Sequence, residues 1–82
     1  MKTLQQGMEQ VERVNILISL TNIESEDIKQ ALIDHLSRGH SSSVSSSLNS
    51  VQPSNFSMAL SILEEVAKKI ELIKEIDYRH IS

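Results

Sequence analysis

Residues 39–63 read GHSSSVSSSLNSVQPSNFSMALSIL, and their reading decides the fold. The stretch opens on a glycine able to end a helix. It runs through six serines between positions 41 and 47, pauses at Asn49 and restarts at Pro53. Serine is a poor mid-helix residue because its hydroxyl competes for backbone hydrogen bonds, so a linker is one reading. Against it, Val44, Leu48 and Val51 recur at spacings of four and three, a pattern for which a solvated linker has no use. Ser41 or Ser42 can cap a short helix, and Asn49 tolerates left-handed backbone at a helix end. The spacing predicts a short helix over 42–48, with Val44 and Leu48 as its apolar positions, and a tight turn over 49–52. A new helix then starts at Pro53, whose fixed φ suits the first helical position.

That last helix is apolar at Phe56, Ala59, Leu60, Leu63, Val66, Ala67, Ile70, Ile73 and Ile76, and the pattern predicts one helix over 53–78. Phe56, Ala59, Leu63, Val66, Ile70 and Ile73 fit a and d positions of a heptad repeat. Leu60, Ile62, Ala67, Leu72 and Ile76 widen the seam. A face this wide suits a helix that packs on its own domain on one side and on a partner on the other. Glu64 to Glu75 alternates acidic and basic residues, most simply a solvated face with i,i+4 pairs.

Working back from Gly39, Ser25 is a plausible N-cap, followed by Glu26 and Asp27 where the helix dipole favours negative charge. Ile28, Ala31, Leu32, Ile33 and Leu36 form an apolar stripe, Arg38 sits in the last turn, and a helix over 25–38 follows. Leu4, Met8, Val11, Val14 and Leu17 or Ile18 predict an amphipathic helix over 2–20, frayed in its first turns by Gly7. Leu4, Met8 and Val11 are candidates for an oligomer interface, as are Val66, Ile70, Ile73 and Ile76.

Eighty-two residues make one domain at most and bury a small core. With two aromatic residues, Phe56 and Tyr78, that core must be aliphatic. A second copy would bury more surface, so a dimer is expected. The absence of cysteine excludes disulfides and thiolate metal sites, which agrees with a reducing cytoplasm. The first residues offer no signal-peptide pattern. The longest apolar runs, such as Ile16-Leu17-Ile18, are far too short for a membrane span, and no membrane partner is expected. His35, His40 and His80 lack the spacing of a metal site. Asp34, His35 and the serines are better explained as residues on solvated helix faces than as a catalytic set. We expect neither an enzyme nor a cofactor.

Two helices joined by a turn and preceded by a third have the order of a helix-turn-helix, although any three- or four-helix bundle fits the same spacing. In that arrangement Gln52, Ser54, Asn55, Ser57, Met58 and Ser61 would face the major groove. Amides pair with adenine there, and methionine contacts the thymine methyl. Ser41, Ser42 and Ser43 would donate to phosphate oxygens from the start of the short helix, with Arg38 and His40 close by. The charge speaks against strong attraction. The chain carries a net −3, and there is no lysine or arginine between Gly39 and Ala67, whereas such residues supply most DNA affinity.

Residues 15–63 resemble the PapB family of adhesin (fimbrial) operon regulators. The matching words are Ile18-Ser19-Leu20, Ser25-Glu26-Asp27-Ile28, the run Ala31-Leu32-Ile33-Asp34-His35-Leu36, the triplet Gly39-His40-Ser41, and Phe56-Ser57 with Leu60 and Leu63. The triplet after an amphipathic helix, with Phe-Ser fifteen residues later, is the most specific part. The chain departs from the family just after the triplet. Serines stand where the family carries charged residues, and Val44 and Leu48 come one place earlier than its apolar pair. The resemblance implies an all-α bacterial transcriptional regulator of surface-adhesin expression, cytoplasmic and nucleoid-associated. It implies binding to double-stranded, A·T-rich promoter DNA through a helix-turn-helix, as a dimer or higher oligomer. The competing reading is a protein–protein interaction module, such as an antagonist that forms mixed oligomers with a related regulator.

Overall fold

A computed structural model describes residues 3–81. These residues form four helices and no strand: α1 (Val11–Ser19), α2 (Glu26–Leu36), α3 (Ser42–Leu48) and α4 (Pro53–Ile81). Helix α2 forms where its caps place it. The Ser25 hydroxyl accepts the Ile28 N–H at 3.3 Å, Glu26 and Asp27 occupy the first turn, and Gly39 follows the end with φ +82°. Left-handed backbone of that kind is nearly free for glycine. Pro53 starts α4, which runs to the end of the described chain. At 1.5 Å per residue α4 is about 43 Å long, close to the molecule's longest extent of 46 Å.

The core is aliphatic apart from Phe56. Val14, Leu17 and Ile18 of α1 pack with Ala31, Leu32 and Leu36 of α2, with Phe56, Ala59, Leu63 and Ala67 of α4, and with Leu4. Phe56 is buried and makes a T-shaped contact with the His35 ring, with centroids 5.5 Å apart and planes at 88°.

The N-terminal segment differs from the expected helix over 2–20. Lys2 lies outside the described residues, and helix begins only at Val11. Residues 3–10 form an irregular strap across the end of α2. Gly7, at φ +73°, breaks the helical path, and its N–H donates to the His35 carbonyl at 3.1 Å. The Glu9 N–H donates to the Leu36 carbonyl at 3.0 Å, and the Gln6 side-chain amide to the Gly39 carbonyl at 2.8 Å. The last carbonyls of a helix have no partner within it, and here the strap supplies them. Competition for these donors, not fraying, ends the helical pattern. Leu4 is accordingly core rather than oligomer interface, while Met8, at 73% exposure, and Val11 face solvent.

Helix α3 has the expected bounds but the opposite face inward. Val44 is 43% exposed and Leu48 65%, whereas Ser45 and Ser46 are buried. Small side chains let α3 lie close against α2 and α4, and branched ones at those positions would hold it off. Asn49 keeps ordinary helix-end backbone at φ −110°, and the left-handed residue of the turn is Ser50 at φ +56°.

Candidate nucleic-acid interface

Two exposed segments hold the predicted DNA contacts. The first is the start of α3. The Ser41 hydroxyl accepts the Val44 N–H at 3.2 Å and so caps the helix, while Ser42 and Ser43 stand exposed beside it. The second is the start of α4, where Gln52, Ser54, Asn55, Ser57, Met58 and Ser61 are all exposed. Ser54, Ser57 and Ser61 follow at intervals of three and four and share one face. Asn55 and Met58 instead line a groove with Ile23, Ile28 and Ile62, beside the loop that precedes α2.

The two segments meet at a shallow cavity. Ser42 and Ser61 line it together with Leu4, Gln5, Leu60 and Glu64. Glu64 is committed within the protomer, because its carboxylate accepts the N–H groups of Thr3 and Leu4, the latter at 3.1 Å. It nevertheless places an acidic side chain beside the serine hydroxyls, which disfavours phosphate there.

Arg38 and His40 are exposed at the turn after α2. Arg38 donates to Asp34 at 3.2 Å, so its guanidinium is shared with a buried carboxylate. Asp34 and His35, expected on a solvated face, are both buried, and Asp34 is the centre of a polar network. It also accepts from the Gln30 amide at 3.0 Å and the Asn49 amide at 2.9 Å, and Asn49 donates in addition to the Ser45 carbonyl. Burial pushes the Asp34 carboxyl up. The hydrogen bonds from Asn49 and Gln30, with the charges of Arg38 and His40, outweigh it and hold the group below its ordinary value. This network ties the end of α3 to α2 and fixes the turn that launches α4. Its sequence signal was weak, because Asn49 and Asp34 are fifteen residues apart.

Among the described residues, several other cations are engaged away from the two serine segments. Arg13 bridges Glu9 and Glu71, Lys29 pairs with Glu26, and Lys74 with Glu71. Lys68 and Lys69 are exposed on α4 about two turns beyond Ser61. Of the other interface candidates, Val66 and Ile70 are half-buried against the protomer's own core, while Ile73 and Ile76 are exposed.

Among the described residues no cluster of histidine and carboxylate side chains could hold a metal, and no helix is long and apolar enough to cross a membrane. Compared with protein-family models, with curated proteins and with solved structures, the chain matches none.

Proposed function

We propose that the chain is a DNA-binding transcriptional regulator that acts as an oligomer, of the kind implied by its resemblance to PapB-family regulators of adhesin operons. The observation that carries this reading is the unit α3–turn–α4. Two helices are joined by the four residues 49–52, with left-handed backbone at Ser50, a position where helix-turn-helix units often use glycine. Buried Ser45 and Ser46 seat the first helix, and Phe56 anchors the second. The first turns of α4 are thereby left exposed, with hydroxyl and amide groups suited to base edges and phosphates. With few cations near these groups, affinity depends on several protomers binding together.

The test is binding to A·T-rich promoter fragments over a range of salt. Log affinity should fall with log salt on a shallow slope, roughly −2 to −4, as expected for two to four neutralised phosphates. The combined variant Arg38→Ala/Gln52→Ala/Asn55→Ala should lose binding while remaining helical. Unchanged affinity in that variant would overturn the assignment.

One observation favours a second reading. No lysine or arginine occurs between Gly39 and Ala67, whereas Ile16, Leu20, Leu72, Ile73 and Ile76 are exposed on α1 and α4. An antagonist that enters mixed oligomers with a related regulator would have this surface. It would bind that regulator but show no salt-dependent affinity for DNA alone.

A further inference from the structure

Helix α4 carries a second heptad seam, distinct from the one that enters the core. Met58, Ile62, Glu65, Lys69, Leu72 and Ile76 follow at alternating intervals of four and three. This is a d-a-d-a-d-a register over three heptads. All six are exposed, and the four apolar members expose 42–64% of their surface. The seam is apolar at both ends and carries one acid and one base at its middle.

We propose that this seam is the interface with a second copy of the chain, and that the two α4 helices pair antiparallel about residue 67. The charges decide the orientation. In an antiparallel pair, a positions of one helix meet d positions of the other. Centred on residue 67, Glu65 faces the partner's Lys69 and Lys69 faces the partner's Glu65. Ile62 then meets the partner's Leu72, and Met58 the partner's Ile76. A parallel, in-register pair would set Glu65 against Glu65 and Lys69 against Lys69. The arrangement is self-complementary, as a two-fold interface requires. The groove lined by Ile23, Ile28, Met58 and Ile62 then receives the partner's Ile76. Met58 belongs to this seam and Asn55 lines the same groove, which leaves Gln52, Ser54, Ser57 and Ser61 as the groove-facing set.

This inference rests on the oligomer in the proposed function but not on DNA, and its test uses protein alone. Sedimentation equilibrium at micromolar concentration should give a dimer. Lys69→Glu should weaken it about tenfold, since two like-charged pairs replace two opposite ones. The double charge reversal Glu65→Lys/Lys69→Glu should restore it. The chain has no cysteine, so engineered thiols report orientation directly. Met58→Cys/Ile76→Cys should link protomers on mild oxidation. Neither single variant should, because each thiol lies ~27 Å from its own copy. A monomer in the unmutated protein, efficient crosslinking of either single variant, or no rescue by the charge reversal would overturn the proposal. Circular dichroism checks that each variant is folded.

Discussion

Ser45 is fully buried, and its hydroxyl has no hydrogen-bond partner among the described residues. A buried hydroxyl without a partner costs about 1–3 kcal/mol, and serine is also a weaker helix former than alanine. Ser45→Ala should therefore stabilise the fold by about 1 kcal/mol and raise Tm by roughly 4–8 °C, as read by thermal unfolding. Gly7 is the opposite case. At φ +73° an added Cβ would stand 3.0 Å from the Gly39 Cα, which is backbone and cannot yield as a side chain would. Gly7→Ala should cost at least ~1–2 kcal/mol, seen as a lower urea midpoint. Asp34 gives a pH dependence. Its carboxyl is held below the ordinary value in the folded state, so the unfolded chain binds the proton more tightly. The stability it supplies is present above the usual carboxylate range, near pH 4, and is lost as pH falls through the lowered folded-state value. Asn49→Ala removes one donor to Asp34. It should lower stability at pH 7 by about 1–3 kcal/mol, and the gap from the unmutated protein should narrow towards pH 3.

At the scale of elements, periodicity was legible wherever one residue faces one environment. The bounds of α2 and α3, and the start of α4, follow from Ser25, Ser41, Gly39 and Pro53. What periodicity missed has a common cause: a local pattern overruled by distant partners. The stripe Leu4–Met8–Val11 is helical in spacing, yet the α2 carbonyls take the Gly7 and Glu9 N–H groups. In α3 the branched residues mark the wrong face, because the space between α2 and α4 admits only small side chains. In the candidate site, the exposure of Ser54, Ser57 and Ser61 was legible from spacing. The acidic Glu64 beside Ser42 was not, since it depends on how α3 crosses α4. The apolar spacing of α4 merged two seams into one wide face. Phe56, Ala59, Leu63 and Ala67 belong to the protomer's core, and among the described residues none after Ala67 is buried. The end of α4 is thus dispensable for the fold and needed for the seam. A chain ending at residue 71 keeps Ile70 and the Arg13–Glu71 ion pair but loses Leu72 and Ile76. It should remain helical with a Tm that no longer rises with protein concentration, whereas the full chain's Tm should rise.

At the scale of the whole molecule, the proposed pairing sets the distance between the two groove-facing ends. Ser54 and Ser57 lie thirteen and ten residues before residue 67, so two antiparallel copies separate these positions by about 26 and 20 residues, or ~39 and ~30 Å along the helices. One turn of B-DNA separates half-sites by about 34–36 Å. The polar face of Ser54, Ser57 and Ser61 lies to one side of the seam, so a two-fold axis perpendicular to the helix pair turns both copies of that face in the same direction. A single protomer offers hydroxyls and amides but few cations, and its own affinity is expected to be weak. Linking two such ends on a rigid seam makes the second contact intramolecular, which multiplies weak affinities without new charge. Duplexes carrying two half-sites at a centre spacing of one helical turn should therefore bind most tightly. Inserting about half a turn should reduce affinity to that of a single half-site, because the second end then meets the wrong face of the duplex. Lys69→Glu, which weakens the seam and leaves the groove-facing residues untouched, should erase the difference between these duplexes. Anisotropy titrations at fixed salt measure all three. Equal affinity for both spacings in the unmutated protein would separate DNA binding from the seam.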